Sequence, residues 1–167
     1  KLIHVAVGVI IGPDKKILIA KRPQTAHQGG LWEFPGGKVD AGESVHQALV
    51  RELQEELAIR VVESEPLIQI RHHYPDKSVL LDVYSVTRFD GQPSGAEGQP
   101  ICWVSPEELG NFEFPAANQP IINAITLPDK YLIIGDFAGA EDFEQCLSIA
   151  FEQGIRLVQL RMHDFSL

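Results

Sequence analysis

Residues 51–59 read RELQEELAI, and seven residues separate them from the segment GKVDAGE at residues 37–43. Each residue of an α-helix advances about 100° around the axis, so Glu52, Glu55 and Glu56 fall within an arc of about 100°. Large apolar residues recur at intervals of four beside this arc, at Val45, Leu49, Leu53 and Leu57. Such a stripe buries against a sheet. The sequence therefore predicts a helix that turns three carboxylates outward.

This acidic face predicts a metal site. Like charges repel one another, and a hard divalent cation such as Mg²⁺, which prefers oxygen ligands, relieves the repulsion. For an isolated Glu-x-x-Glu-Glu motif, a solvated acidic helix face is the alternative. The residues on either side of the motif decide between the two interpretations.

The spacing Gly-x5-Glu-x7-Arg-Glu-Leu-x-Glu-Glu-x-Ala-Ile resembles the signature of the Nudix hydrolases. The family has glycine where this chain has Ala58, a difference that bears on the helix end rather than on the metal site. The resemblance runs from about residue 5 to residue 125. Further matches lie at residues 6–10, 21–22, 33–38, 97–100 and 114–120. The last two segments narrow the resemblance to the MutT branch, which hydrolyses 8-oxo-dGTP.

The resemblance implies an α+β protein with the Nudix fold, a mixed β-sheet in an α/β/α sandwich. It also implies a site for Mg²⁺, with Mn²⁺ as the alternative. The implied ligands are Glu52, Glu55, Glu56 and the backbone carbonyl of Gly36. Glu43 and Arg51 would orient these acids. Glu97 would be a further ligand or the general base, although loop acids are more often simply solvated.

The resemblance likewise implies the substrate contacts. Arg22 and Lys38 are candidates for the phosphates, and Phe34 and Asn118 match positions near the base. A helix N-cap is the alternative role for Asn118. The implied reaction is attack of a metal-activated water on the β-phosphorus, converting 8-oxo-dGTP to 8-oxo-dGMP and pyrophosphate.

Two alternatives stay open at this point. One is a Nudix hydrolase acting on another nucleoside diphosphate derivative, such as ADP-ribose. The other is a Nudix domain that binds nucleotide for sensing without turnover. Because a domain that only binds has no need for Arg51, Glu52, Glu55 and Glu56 together, the intact set favours catalysis.

Composition and charge limit the partners. The 167 residues suffice for one ordinary core, and the net charge of −9 argues against duplex nucleic acid, which is bound through basic patches. A small nucleotide remains compatible, since bound metal reverses the local charge. No apolar run approaches the length of a membrane span, so no membrane partner is predicted. Cys102 and Cys146 lie far apart without a redox motif, which favours a reducing cytoplasm.

Apolar and β-branched runs predict strands over residues 2–11, 16–20, 31–34, 66–73, 78–89 and 101–104. Residues 35–37 are predicted to form a loop that approaches a ligand closely. Helices are predicted over residues 44–57 and 117–125, and Ser105 with Pro106 indicates another helix start. Residues 1–126 are therefore predicted to form the Nudix domain.

Residues 127–167 are predicted to form a separate β-α-β tail after a linker. The tail resembles the start of thiamine-phosphate synthase, a TIM-barrel enzyme, through Tyr-Leu-Ile and Val-Gln-Leu-Arg. These roughly 40 residues cannot build eight barrel units, so we expect a truncated start of such a domain. The absence of an initiator methionine before Lys1 suggests a trimmed or processed terminus. The apolar faces of the tail are expected to pack either on the Nudix domain or against a second chain, and the second arrangement would give a homodimer.

Overall fold

The structure, a computed structural model, describes residues 2–128, 130–135 and 137–161. The chain divides into two compact units, Lys1–Ile125 and Thr126–Leu167. No helix among the described residues is long and apolar enough to cross a membrane.

The first unit is built on a seven-stranded mixed sheet. Its strands are β1 (Leu2–Ile11), β2 (Ile17–Lys21), β3 (Trp32–Glu33), β4 (Gly36–Lys38), β5 (Arg60–His73), β6 (Ser78–Asp90) and β7 (Ile101–Val104). Strands β1 and β6 pair in parallel. The pairs β1–β2, β1–β4, β2–β3, β2–β7 and β5–β6 are antiparallel.

Helices cover both faces of this sheet. Successive side chains of β1 point to opposite faces, so its residues divide between two apolar clusters. Val7 and Val9 belong to one apolar cluster, together with Ile121 of helix α2 (Gln119–Thr126). Ala6 and Ile10 belong to a second cluster that contains the apolar stripe of helix α1 (Val45–Leu57). The predicted α/β/α sandwich and mixed sheet are confirmed.

Helix α1 is fixed at both ends and along one face. Ser44 is its N-cap and forms a capping box with Gln47. Leu49, Leu53 and Leu57 are fully buried, as the stripe predicts. A Cβ atom on Gly8 would lie 3.0 Å from the Leu53 side chain, so glycine allows the helix to sit close to β1. Past its last turn, Ala58 adopts the left-handed conformation, with φ 57°.

Some element boundaries differ from the sequence prediction. Residues 36–38 form strand β4 on β1, whereas residues 35–37 were expected to form a loop. Gly36 has φ 146°, and a Cβ atom there would overlap the carbonyl of Ala6. This strand therefore requires glycine at residue 36, because only a residue without a Cβ atom can lie so close to β1. Strand β5 begins at Arg60 rather than at residue 66, because pairing with β6 continues through bulges on either side of Pro66.

The expected helix over residues 117–125 is a 3-10 turn, Ala116–Asn118, followed by α2. The helix predicted after Ser105 is also of the 3-10 type, Pro106–Asn111. Proline at its start supplies no N–H donor and fits the first turn.

The second unit has the predicted order of strand, helix and strand. Strands β8 (Tyr131–Ile134) and β9 (Leu157–Leu160) pair in parallel, and helix α3 (Ala140–Glu152) connects them. Residues 162–167 of the predicted tail lie outside the described residues.

Candidate active site

The three acids of α1 occupy different environments. The Glu52 side chain is 16% exposed and the Glu55 side chain 57% exposed. The Glu52 carboxylate lies over Gly37, where a Cβ atom would overlap it. The Glu56 carboxylate accepts a hydrogen bond of 3.0 Å from the Gly36 backbone N–H. Two of these three acids therefore meet the backbone of β4, and Glu55 lies outermost.

Arg51 organises the charges of this cluster. Its guanidinium donates to Glu43 at 2.7 and 3.2 Å, to Glu52 at 2.8 Å and to Glu55 at 3.2 Å. It also donates to the Lys38 carbonyl at 3.0 Å. Hydrogen bonds from Arg51 and from the Asp40 N–H lower the pKa of Glu43, and its acidic partners raise the pKa of Arg51.

Glu56 carries the most perturbed carboxyl of the site. Burial raises its pKa to about 8; the Gly36 N–H opposes this, and the charges of Glu33, Glu52 and Glu97 add to it. A desolvated carboxylate among like charges favours a nearby cation. In the metal-free protein, a bound proton neutralises the Glu56 carboxyl at pH values below its raised pKa.

Glu97 lies in the loop between β6 and β7, which returns to the C-terminal end of α1. The Ala96 N–H donates to the Glu56 carbonyl at 2.9 Å. Glu97 is exposed, and its charge acts on Glu56. The structure thus brings the predicted loop acid to the acidic end of the helix.

The oxygen donors suit a hard divalent cation in chemistry. Within the described parts of the chain, however, no three His, Cys, Asp or Glu side chains converge as a preformed metal site. Arg51 forms ion pairs with both Glu52 and Glu55, which balances part of the negative charge of the cluster. The Glu52 and Glu56 carboxylates both lie against the backbone of β4 and are only partly exposed, so a bound cation would offset the desolvation of their charges.

A pocket of about 230 Å³ opens beside β4. Phe34 is buried in its wall and stacks on Phe114, with ring centroids 5.4 Å apart. Asn118 also lines the pocket, and its buried side-chain oxygen has no hydrogen-bond partner among the described residues. The N-cap alternative for Asn118 is wrong, since a capping oxygen would accept a backbone N–H.

The two cations predicted at the phosphates both line this pocket. Arg22 forms an ion pair with Glu33, and its Nε donates to the His27 carbonyl at 3.0 Å. Lys38 lies on β4 with an exposed side chain. Sequence analysis missed Glu33, a pocket-wall acid whose pKa is raised by burial against the opposing effect of Arg22. Its position directly before Phe34 was the available signal.

Comparison with known proteins agrees with this architecture. A protein-family model described as NUDIX domain matches residues 6–124. The chain belongs to the Nudix family. This confirms the resemblance drawn from the signature, and Nudix hydrolases generally use divalent metal ions.

Two curated relatives come from Escherichia coli (strain K12). An 8-oxo-dGTP diphosphatase is 40% identical over 122 residues, spanning 73% of this chain and 95% of the relative. A CTP pyrophosphohydrolase is 41% identical over 124 residues, spanning 74% and 91%.

A solved MutT structure, from work on Aliivibrio salmonicida and Vibrio cholerae, is 47% identical with a TM-score of 0.65. It covers 75% of this chain and 97% of the solved one. The chain is a Nudix nucleotide pyrophosphohydrolase, which confirms the predicted enzyme class. The alternative of a binding-only Nudix domain is set aside.

Proposed function

We propose that this Nudix hydrolase converts 8-oxo-dGTP to 8-oxo-dGMP and pyrophosphate. The observation that carries the proposal is the buried, unpaired Asn118 oxygen in the pocket wall. In 8-oxoguanine N7 carries a hydrogen, whereas in guanine N7 is an acceptor. An amide oxygen that accepts from this N7–H, while its nitrogen donates to O6, would select the oxidised base.

Mg²⁺ is the proposed cation, and Mn²⁺ is the alternative. When bound, it would supply a water of lowered pKa and neutralise charge on the phosphate oxygens. Glu52, Glu56 and the Gly36 carbonyl would hold it. Glu55 and Glu97 would complete the acidic shell, with Glu97 as a ligand or as the general base. The ion pairs of Arg51 support this assignment, because they fix Glu52 beside β4.

The remaining pocket residues have proposed roles in binding. Phe34 would contact the base, since it is buried in the wall of the pocket that Asn118 also lines. Lys38 would contact the phosphates through its exposed ammonium group. Arg22 would support the base-binding wall through its pair with Glu33, in place of the phosphate role predicted from the sequence.

CTP is the second candidate substrate. The CTP pyrophosphohydrolase of E. coli is as similar to this chain as the 8-oxo-dGTP diphosphatase. Cytosine also has a donor, its N4 amino group, that could pair with the Asn118 oxygen. The same unpaired acceptor therefore supports both bases.

A comparison of kcat/KM values with Mg²⁺ tests the substrate. The panel is 8-oxo-dGTP, dGTP, 8-oxo-GTP, CTP and ADP-ribose. We expect the kcat/KM value for 8-oxo-dGTP to exceed that for dGTP by at least about 30-fold, since leaving a buried polar group unmatched costs about 1–3 kcal/mol and two groups are at stake. A higher value for CTP would replace the proposed substrate by the second candidate.

We also propose that residues 127–167 begin a second α/β domain and that the protein is cytoplasmic. Parallel strands are normally covered on both faces, yet Tyr131, Ile133 and Leu157, which share one face, are exposed. Cys102 and Cys146 are free thiols, which suits a reducing compartment. Self-association through the exposed face would give the homodimer predicted from the sequence.

A further inference from the structure

The loop between β6 and β7 is joined to the C-terminal end of α1 by hydrogen bonds. The Ser94 N–H donates to the Leu57 carbonyl at 3.1 Å, and the Ala96 N–H donates to the Glu56 carbonyl at 2.9 Å. The Glu56 carbonyl accepts a second bond, of 2.9 Å, from Nε2 of Gln99. These carbonyls belong to the last turn of the helix, which leaves them without partners inside the helix.

The Gln99 side chain connects two acids of the site. While its Nε2 donates to the Glu56 carbonyl, its Oε1 accepts from the Glu97 N–H at 3.0 Å. The two ends of the amide cannot be exchanged, because a carbonyl requires a donor and an N–H requires an acceptor. Gln99 is half-buried. A Cβ atom on Gly95 would overlap the Gln99 carbonyl, so the loop closes tightly around this residue.

We propose that Gln99 is a positioning residue, whose amide holds Glu97 in register with Glu56 so that both carboxylates reach one divalent cation. The inference rests on the metal site proposed above. An exposed loop acid would otherwise sample many positions, and displacements of about 1 Å in a catalytic constellation are costly. The Gln99 side-chain amide links the backbone N–H of Glu97 to the backbone carbonyl of Glu56. Groups that orient metal ligands commonly change metal affinity by about 10–100-fold when removed.

Gln99→Met tests the bridge, since it removes both hydrogen bonds with little change in side-chain size. Gln92→Met is the matched control: Gln92 lies exposed in the same loop and makes no side-chain hydrogen bond within the described residues. Each variant is made in the full chain, alone and with Glu97→Gln. Mn²⁺ dissociation constants are measured without nucleotide by electron paramagnetic resonance, and kcat is measured in parallel.

We expect Gln99→Met to weaken Mn²⁺ binding by about 10-fold and Gln92→Met to leave it unchanged. In the Glu97→Gln background, Gln99→Met should add little, because its effect passes through Glu97. Effects that multiply would overturn the proposal, and so would an unchanged Mn²⁺ affinity in Gln99→Met. A loss confined to the melting temperature would give Gln99 a structural role alone.

Amide hydrogen exchange in the metal-free parent protein keeps the test decisive if Gln99→Met fails to fold. The Glu97 N–H should be protected by at least about 10-fold, and an unprotected amide would refute the bridge. A parent protein that binds Mn²⁺ but does not hydrolyse 8-oxo-dGTP would refute the substrate proposal. The Mn²⁺ comparison would still decide the role of Gln99.

Discussion

The negative charges of the acidic helix are balanced in two different ways, by Arg51 for three acids and by the Gly36 backbone for Glu56. Arg51 pairs with Glu43, Glu52 and Glu55, so part of their negative charge is balanced before any cation binds. The Glu56 carboxylate instead accepts from the Gly36 N–H and is shielded from water. Glu56 is therefore the acid whose charge state depends most on a bound cation.

The pH dependence of metal-free stability should reveal Glu56. Burial raises the pKa of Glu56 to about 8 from its ordinary value of 4.5, so between these pH values the folded chain holds a proton that the unfolded chain releases. The free energy of unfolding then falls as pH rises through this window, by at most about 1.4 kcal/mol per pH unit for one group. Added Mg²⁺ should restore stability at pH 8.

Glu56→Gln should remove this contribution and most of the hydrolysis, because glutamine is neutral at every pH. Melting temperatures between pH 5 and 8 in a chelator, for parent and variant, give the comparison. Identical slopes would mean that Glu56 does not hold the proton. Subtracting the two curves cancels the histidines, which titrate in the same range.

Asn118→Ala should weaken binding of 8-oxo-dGMP by roughly 5–150-fold, corresponding to about 1–3 kcal/mol, and should affect dGMP much less. Stability should not fall, because the Asn118 side-chain oxygen has no partner to lose in the free protein. Isothermal titration with both nucleotides measures the difference. Equal losses for the two nucleotides would separate Asn118 from base selection. Metal affinity should stay unchanged.

At the scale of elements, the site depends on glycines in β1 and β4, which let helix α1 pack close to both strands. Gly8 lets the helix approach β1, and Gly37 leaves space for the Glu52 carboxylate. The signature thus combines a helix that carries the acids with a strand whose glycine leaves space for the Glu52 carboxylate.

Gly37→Ala should weaken metal binding by roughly 10-fold with little change in melting temperature. The new methyl group would overlap the Glu52 carboxylate, the far end of a flexible side chain that can move away. Gly36→Ala is the contrasting variant, since its Cβ would meet the Ala6 backbone; it should lower the melting temperature. Unchanged Mn²⁺ affinity in Gly37→Ala would argue against Glu52 as a ligand.

Ala58→Gly should raise the free energy of unfolding by about 1 kcal/mol. Ala58 holds φ 57° at the end of α1, and this conformation costs a non-glycine residue roughly 1–2 kcal/mol. Ala48→Gly, inside the same helix, is the control and should be destabilising. Urea unfolding of the three proteins measures both changes. Destabilisation by Ala58→Gly would show that the backbone relaxes away from this cap.

At the scale of the whole molecule, the apolar clusters of the first unit are formed by residues 3–125. The second unit exposes large apolar side chains, with Tyr131 60% and Ile133 48% exposed. The first unit therefore supplies the core around the nucleotide pocket, whereas the second unit carries exposed apolar side chains, the kind of surface through which chains can associate.

A chain that ends after Leu127 should keep kcat/KM within about twofold, as expected for a unit with its own core. It should also self-associate less than the full chain, because the exposed face of β8 and β9 is removed. Light scattering at matched concentrations, with melting curves, tests both expectations. A full chain that is already monomeric would contradict the predicted homodimer. Loss of folding on truncation would show that the first unit needs the tail.

Residue order alone determined the helix, its acidic face and the family. These features are local: the period of the apolar stripe sets the buried face of α1, and the spacing around Glu43, Arg51 and Glu52 carries the Nudix signature. The sandwich of helices around a mixed sheet followed from the family resemblance. The approximate positions of the strands along the chain and the β-α-β pattern of the tail were similarly accessible.

Tertiary structure alone decided which groups meet. Gly36 and Gly37 form a strand because β1 offers them backbone partners, although glycine by itself favours a loop. The pairing of Arg22 with Glu33, the elevated pKa of Glu56 and the Gln99 bridge all depend on burial or on backbone atoms of distant segments. Sequence patterns record side-chain types and spacing, but desolvation and hydrogen bonds to the main chain arise only after the chain has folded.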